Sequence, residues 1–207
     1  MAEAPKSGAT PIEGDGKRVL VILGTPRSGG FCHALAEAYA QGARSRDHVV
    51  RVLRLGDMAF DPVLRGGYDQ GQTLEPDLLG AQREIHWAEH LALVYPVWWG
   101  GLPGLLQGFI DRAFQPGFAF RYRSPESREF EPLLSGRSAD LLVSHDQTHW
   151  QYRLRQGAPA HRQMVRCILQ PCGITTRHLE EFSPMRGSSE EQRQVWLKRA
   201  EQMGTQV

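Results

Sequence analysis

The sequence predicts an α/β fold of three layers, a five-stranded parallel sheet held between helices. Two observations carry that expectation. Short runs rich in Val, Leu and Ile recur about five times along the 207 residues, and continuous apolar runs of that length suit strands buried on both faces. Between them lie segments whose apolar residues return at helical spacing. Regular alternation of strand and helix implies parallel strands joined by right-handed crossovers.

Composition sets the outer bounds. A chain of 207 residues with 41% hydrophobic residues and a net charge of +1 reads as one ordinary globular domain. No long basic run offers electrostatic support for nucleic-acid binding. No apolar stretch approaches the roughly 20 residues of a membrane span, and the N-terminus has no secretory-signal pattern. Three cysteines, Cys32, Cys167 and Cys172, form no disulfide framework. A cytoplasmic location is expected.

Taken in order, Met1 to Gly16 has no periodicity and is expected to be a disordered leader, with a single domain over 17–207. Arg18 to Leu23 is the first strand, and Gly24 to Phe31 a turn. Cys32 to Arg44 is a helix with Leu35, Ala36, Tyr39 and Ala40 on one face. Val49 to Leu55 is the second strand, and Ala59 to Glu75 a long surface loop of the functional or mobile kind. Pro76 to His90 reads as a helix, and Leu91 to Tyr95 as the third strand. Gly104 to Phe114 is a helix stopped by Gln115-Pro116-Gly117. Phe118 to Tyr122 alternates as a short strand or an aromatic edge, before a polar loop over Arg123 to Glu131. Ser138 to Ser144 is the fourth central strand. A polar, aromatic loop over His145 to Pro159 leads to a helix over Ala160 to Leu169. Ile174 to Leu179 is the fifth strand. The last helix runs over Ser189 to Gln202, with Ser188-Ser189-Glu190-Glu191 supplying its cap and first-turn acids. Five strands and short connections fit a flavodoxin-like sheet of order 2-1-3-4-5.

In such a sheet ligands bind at the carboxyl ends of the strands, and there the chemistry concentrates. Pro96-Val97-Trp98-Trp99-Gly100-Gly101-Leu102-Pro103 is a flat, stiff turn with accessible backbone, suited to a planar aromatic ligand. Two tryptophans capping a core is the plainer reading of the same residues. Thr25-Pro26-Arg27-Ser28-Gly29-Gly30 precedes a helix N-terminus, where backbone N–H groups and the helix dipole favour an anion. A plain Gly-Ser turn is as good a reading of this loop alone. It has neither the P-loop nor the Gly-x-Gly-x-x-Gly spacing.

Gly24-Thr25-Pro26-Arg27, Tyr95-Pro96-Val97-Trp98-Trp99-Gly100-Gly101-Leu102-Pro103, Gly108-Phe109-Ile110-Asp111-Arg112-Ala113-Phe114 and Pro116-Gly117-Phe118-Ala119-Phe120 together resemble the NAD(P)H:quinone oxidoreductase family. That family includes ancillary oxidoreductases of glutathione-gated potassium efflux systems. The likeness runs from about Arg18 to Phe182 and implies a flavodoxin-like, flavin-dependent enzyme. Such an enzyme passes a hydride from NAD(P)H through the flavin to a quinone or another small-molecule electron acceptor, in ping-pong order. FMN and FAD both stay open. Pro96, Val97, Trp98, Trp99 and Gly100 would meet the isoalloxazine, and Thr25, Arg27, Ser28, Gly30 and Phe31 its phosphate. His145 and Asp146 would lie at the pyrimidine end. Tyr152 and His145 are the implied catalytic candidates, although Tyr152 and Trp150 can equally line the pocket. Cys32 stands where relatives often carry Asn. No His follows Tyr152 at the family distance, His161 being three places too far. The resemblance also implies a homodimer, and it leaves open a transporter partner for a regulatory subunit. A flavodoxin-like electron carrier is the remaining alternative, against which the near-neutral charge argues.

Four further features need a reading. His86-Trp87-Ala88-Glu89-His90 fits a zinc-protease spacing with both imidazoles on one helical face, but reads better as a solvated helix end, and no metal site is expected. Cys172-Gly173 suits a helix-to-strand junction. Arg112 would form a helix-surface ion pair or an interface contact, and the arginines from Arg121 to Arg128 a solvated loop or a contact to a cofactor's adenylate.

Overall fold

The computed structural model describes residues 16–68, 70–124 and 129–207. The expected leader, apart from Gly16, lies outside the described residues, as do positions 125–128 of the arginine-rich run. Five parallel strands form the sheet: β1 (Arg18–Leu23), β2 (Val49–Arg54), β3 (His90–Pro96), β6 (Ser138–Ser144) and β7 (Thr175–Phe182), in the order β2-β1-β3-β6-β7. In sequence order of the central strands this is the expected 2-1-3-4-5. A separate antiparallel hairpin pairs β4 (Phe120–Tyr122) with β5 (Phe130–Pro132).

Alternation along the central strands divides the core in two. Leu20, Ile22, Leu91, Leu93, Tyr95, Leu141 and Val143 face one side, while Val19, Val21, Leu23, Ala92, Val94 and Leu142 face the other. The first side is covered by α2 (Pro76–Trp87), α3 (Gly104–Ala113) and the segment α4 (Pro159–Arg162), which continues as π-helix over Gln163–Leu169. The second is covered by α1 (Phe31–Arg44) and α5 (Glu190–Gly204). Each fully buried Leu or Ile contributes about 1.5–3 kcal/mol, so the continuous apolar runs hold both layers. Helices α1 and α5 touch backbone to backbone: a Cβ added at Gly42 would lie 1.9 Å from the Glu201 carbonyl oxygen, and one at Gly204 2.1 Å from that of Tyr39.

Several expectations change. The helix expected to reach His90 ends at Trp87, because the chain turns extended at Ala88 (ψ 145°). His90 opens β3 fully buried, bonded to the Tyr39 hydroxyl (2.9 Å) and the Ser138 hydroxyl (2.7 Å). His86 and His90 therefore share no helical face, and His90 is no solvated helix end. The polar loop expected over Arg123 to Glu131 contains the start of β5, and Arg121 pairs with Glu131 across that hairpin at 2.7 Å. Arg112 is neither a surface nor an interface residue. It is fully buried, bonded to the Glu75 carboxylate (2.8 Å) and to the carbonyls of Thr73 (2.9 Å) and Asp61. The long loop over 59–75 is thereby tied to α3. The fifth strand runs past Leu179 to Phe182, and the helix expected over Ala160 to Leu169 is largely π-helical. Cys172 does sit between that helix and β7, and Ser189 caps α5 by accepting from the Gln192 amide at 3.2 Å.

Candidate active site

Adjacent parallel strands end in adjacent loops, so β1, β3 and β6 deliver three loops to one edge of the sheet. Direct bonds join them. The Gly24 amide donates to the Val94 carbonyl (2.8 Å), the Val97 amide to the Ser144 carbonyl (2.8 Å), and the Cys32 thiol lies 3.2 Å from the Ser144 hydroxyl. The phosphate-type loop and the tryptophan turn thus open onto the same side.

The tryptophan turn is a two-residue hairpin. Trp98 and Gly101 exchange both backbone hydrogen bonds, at 3.1 and 2.9 Å. Trp99 (φ 53°) and Gly100 (φ 79°) occupy the corner in the left-handed region, which suits a type I′ turn and strains a tryptophan. Trp99 is fully exposed at 107% relative accessibility. Among the described residues, the amides of Trp99 and Gly100 donate to no protein acceptor, whereas those of Val97 and Trp98 are taken by the fold. Of the five residues expected to meet a ring, Trp99 and Gly100 have amides to offer.

The first loop has the character of an anion cradle. Gly29 (φ 75°) and Gly30 (φ 90°) are left-handed, and Gly30 opens α1 without a side-chain cap. The amides of Ser28, Gly29 and Gly30 donate to no protein acceptor among the described residues, and Arg27 and Ser28 are exposed. Thr25 is buried and accepts from the Arg27 amide at 3.3 Å. Phe31 turns its ring away, against Phe182 and Trp196 at 6.4 and 5.8 Å between centroids, so only its backbone can serve the cradle. Burial pushes the Cys32 thiol up, against a smaller opposing effect from Ser144. It stays a neutral neighbour of the cradle.

The third loop departs most from the simple expectation. Asp146 spends a carboxylate oxygen on the Arg186 amide at 2.9 Å. Tyr152 is fully buried. Its hydroxyl donates to the Gly100 carbonyl (3.2 Å) and accepts from the Ala160 amide (3.1 Å), so it braces the tryptophan turn from behind. Its ring packs against His145 (4.8 Å) and His161 (5.0 Å). Both imidazoles present Nε2 to Glu181, at 3.4 and 3.0 Å, and Arg153 Nε reaches the same carboxylate at 2.6 Å. His149 Nδ1 joins them. Burial alone would push the Glu181 carboxyl up, but hydrogen bonds from His145, His161, Arg153 and His149 outweigh it and hold the group well below the usual range. Trp150 is exposed. Sequence reasoning missed Glu181, because β7 was expected to stop at Leu179.

The residues fit a flavin: paired free amides at a flat aromatic corner adjoin an uncapped helix N-terminus with a flexible glycine pair. Such a sheet edge defines a flavodoxin-type fold, and residues 17–205 match the flavodoxin-like fold family. The chain belongs to that family, and its motifs resemble those of the NAD(P)H:quinone oxidoreductases. It is 27% identical over 126 residues to NAD(P)H dehydrogenase [quinone] 1 of Cavia porcellus, covering 51% of this chain and 46% of that one. The match thus spans about half the length of that relative. It is 25% identical over 183 residues to an FMN-dependent NADH:quinone oxidoreductase of Ruegeria pomeroyi, covering 81% of this chain and 89% of the relative. The NAD(P)H:quinone oxidoreductase structure from Methanothermobacter marburgensis superposes with a TM-score of 0.75 at 24% identity, over 92% of this chain and 98% of that one. Among the described residues no helix is long and apolar enough to cross a membrane.

Proposed function

We propose that this protein is a flavin-dependent NAD(P)H oxidoreductase that reduces quinones or related two-electron acceptors, working as a homodimer. One observation carries the reading. The unpaired amides of Trp99 and Gly100 stand beside the uncapped start of α1, at the edge where β1, β3 and β6 end. A bound flavin would supply the hydride relay between NAD(P)H and acceptor, which protein side chains cannot perform alone.

The chain's own residues then bind, orient and exclude water. Thr25, Arg27, Ser28 and Gly30, with the backbone of Phe31, would hold the phosphate, using N–H groups and the helix dipole. Pro96 to Gly100 would hold the ring, with the Trp99 and Gly100 amides as donors and the exposed Trp99 side chain as an apolar surface. His145, directly after β6, would lie toward the pyrimidine end, where its Nε2 is committed to Glu181 and its ring packs on Tyr152, so it would brace the site rather than donate to the ring. Tyr152, with its hydroxyl already committed, acts by holding Gly100 in place.

Purified protein should be yellow, or turn yellow with FMN or FAD, and should oxidise NADH or NADPH when menadione is added. Mass measurement of the extracted flavin decides FMN against FAD. A colourless protein that stays inert after reconstitution with either flavin defeats the reading.

A further inference from the structure

Among the described residues, Glu181 is the one carboxylate on which four basic side chains converge. They come from every part of the segment between β6 and the π-helix over Gln163–Leu169: His145 directly after β6, His149 from the loop, Arg153 from a π-helical turn over Gln151–Arg155 that replaces part of the loop expected over His145 to Pro159, and His161 from α4. Its own side chain is fully buried. An ionised carboxylate has about four lone-pair sites and only accepts. The four donors therefore fill it, two on each oxygen.

That arrangement fixes which nitrogens carry hydrogen. His145 and His161 must present Nε2–H to Glu181, and their Nδ1 atoms have no partner among the described residues. A neutral ring with a bare Nδ1 lone pair meets both facts, since an unmade acceptor costs less than a buried N–H with nowhere to donate. The two rings so fixed both pack against Tyr152, and Tyr152 holds Gly100. A continuous path of contact leads from the β7 carboxylate to the corner of the tryptophan turn.

We propose that Glu181 is the positioning residue of this site: by gathering His145, His149, Arg153 and His161 it sets the histidine tautomers and, through Tyr152, the attitude of the Trp99–Gly100 corner. The proposal rests on the flavin reading above for what that corner meets. It does not rest on it for the ring tautomers.

The test uses the full chain with histidine 15N labelling. In flavin-free wild type, His145 and His161, assigned by loss of signal in H145N and H161N, should both be Nε2–H tautomers. In Glu181→Gln, with one acceptor oxygen and a new N–H₂, at least one ring should change its signature. The FMN dissociation constant, from quenching of FMN fluorescence, should rise roughly tenfold. In an E181Q/Y152F double variant the two losses should fall short of additive, because both break one path. Wild-type rings found as Nδ1–H tautomers overturn the proposal, even should E181Q not fold. So does a folded E181Q with unchanged ring signals and FMN affinity within about twofold of wild type. A wild type that binds neither FMN nor FAD defeats the flavin reading instead, and the tautomers then decide the role of Glu181 by themselves.

Discussion

Tyr152 and Gly100 meet across 52 residues of chain, the phenol donating to the carbonyl at 3.2 Å while the Ala160 amide donates to both oxygens at 3.1 Å. Three groups thus share one small buried knot directly behind the exposed corner. Tyr152→Phe keeps the ring against its two histidines and removes only the hydroxyl. A lost hydrogen bond of this kind costs about 1 kcal/mol, so FMN affinity should fall roughly fivefold with little change in the circular dichroism spectrum. A direct proton-donating role for Tyr152 would instead lower kcat for menadione reduction and leave FMN binding intact.

Gly100 should resist replacement for a conformational reason. A Cβ there would stand 3.4 Å from Gln156 Oε1 and 3.6 Å from Pro159 Cγ, so space is adequate, but φ is 79°. Gly100→Ala should therefore destabilise by about 1 kcal/mol through backbone strain, read as a lower urea midpoint. The Trp99 amide should turn with it and FMN binding weaken.

Arg112 tests the loop over 59–75. Arg112→Met keeps the bulk within α3 and leaves Glu75 and the carbonyls of Asp61 and Thr73 without their donor. Removing one partner of a buried pair costs 3–5 kcal/mol. Glu75 keeps 29% side-chain exposure, so about 2–3 kcal/mol is expected after allowance for solvent. Urea unfolding should show it, and limited proteolysis should cut the loop faster than in wild type.

Acid should unfold this protein through two carboxylates. At Asp140 burial pushes the group up, but the His90 contact, the Tyr39 hydroxyl and His178 hold it below its ordinary 3.8. Glu181 is held below its ordinary 4.5. Both bind protons more readily unfolded than folded, so their stabilisation is complete above those ordinary values and drains away as pH falls beneath them. The urea midpoint should drop between pH 5 and pH 3, both read against about 4.5 and 3.8 as ordinary carboxylate values, and Glu181→Gln should flatten the drop.

The sheet was legible because its signal is local. Runs such as Arg18-Val19-Leu20-Val21-Ile22-Leu23 can be satisfied only by burial on both faces, and strand–helix alternation then leaves few orders. The two ligand-edge loops were legible for the same reason, since Gly29-Gly30 and Trp98-Trp99-Gly100-Gly101 carry their own backbone demands. What escaped depends on partners far along the chain. Nothing near Arg112 announces Glu75 as its counter-ion 37 residues earlier. His90 reads as polar until Tyr39 and Ser138 are brought to it. Glu181 lies in a polar stretch, Arg177-His178-Leu179-Glu180-Glu181, whose β-strand character comes from pairing with β6. The π-helical turns after Pro159 keep helical spacing locally, so periodicity alone cannot separate them from an α-helix.

The contact of Gly42 and Gly204 with opposing main chain has a reach beyond its own neighbourhood. With no side-chain layer between α1 and α5 there, neither helix can roll or slide without colliding, and α1 is pinned near its tail. Its head, about three turns away, is the uncapped end that faces the glycine pair at Gly29 and Gly30. Bare main chain at one end of a rigid rod therefore governs where the partial positive charge at the other end is pointed.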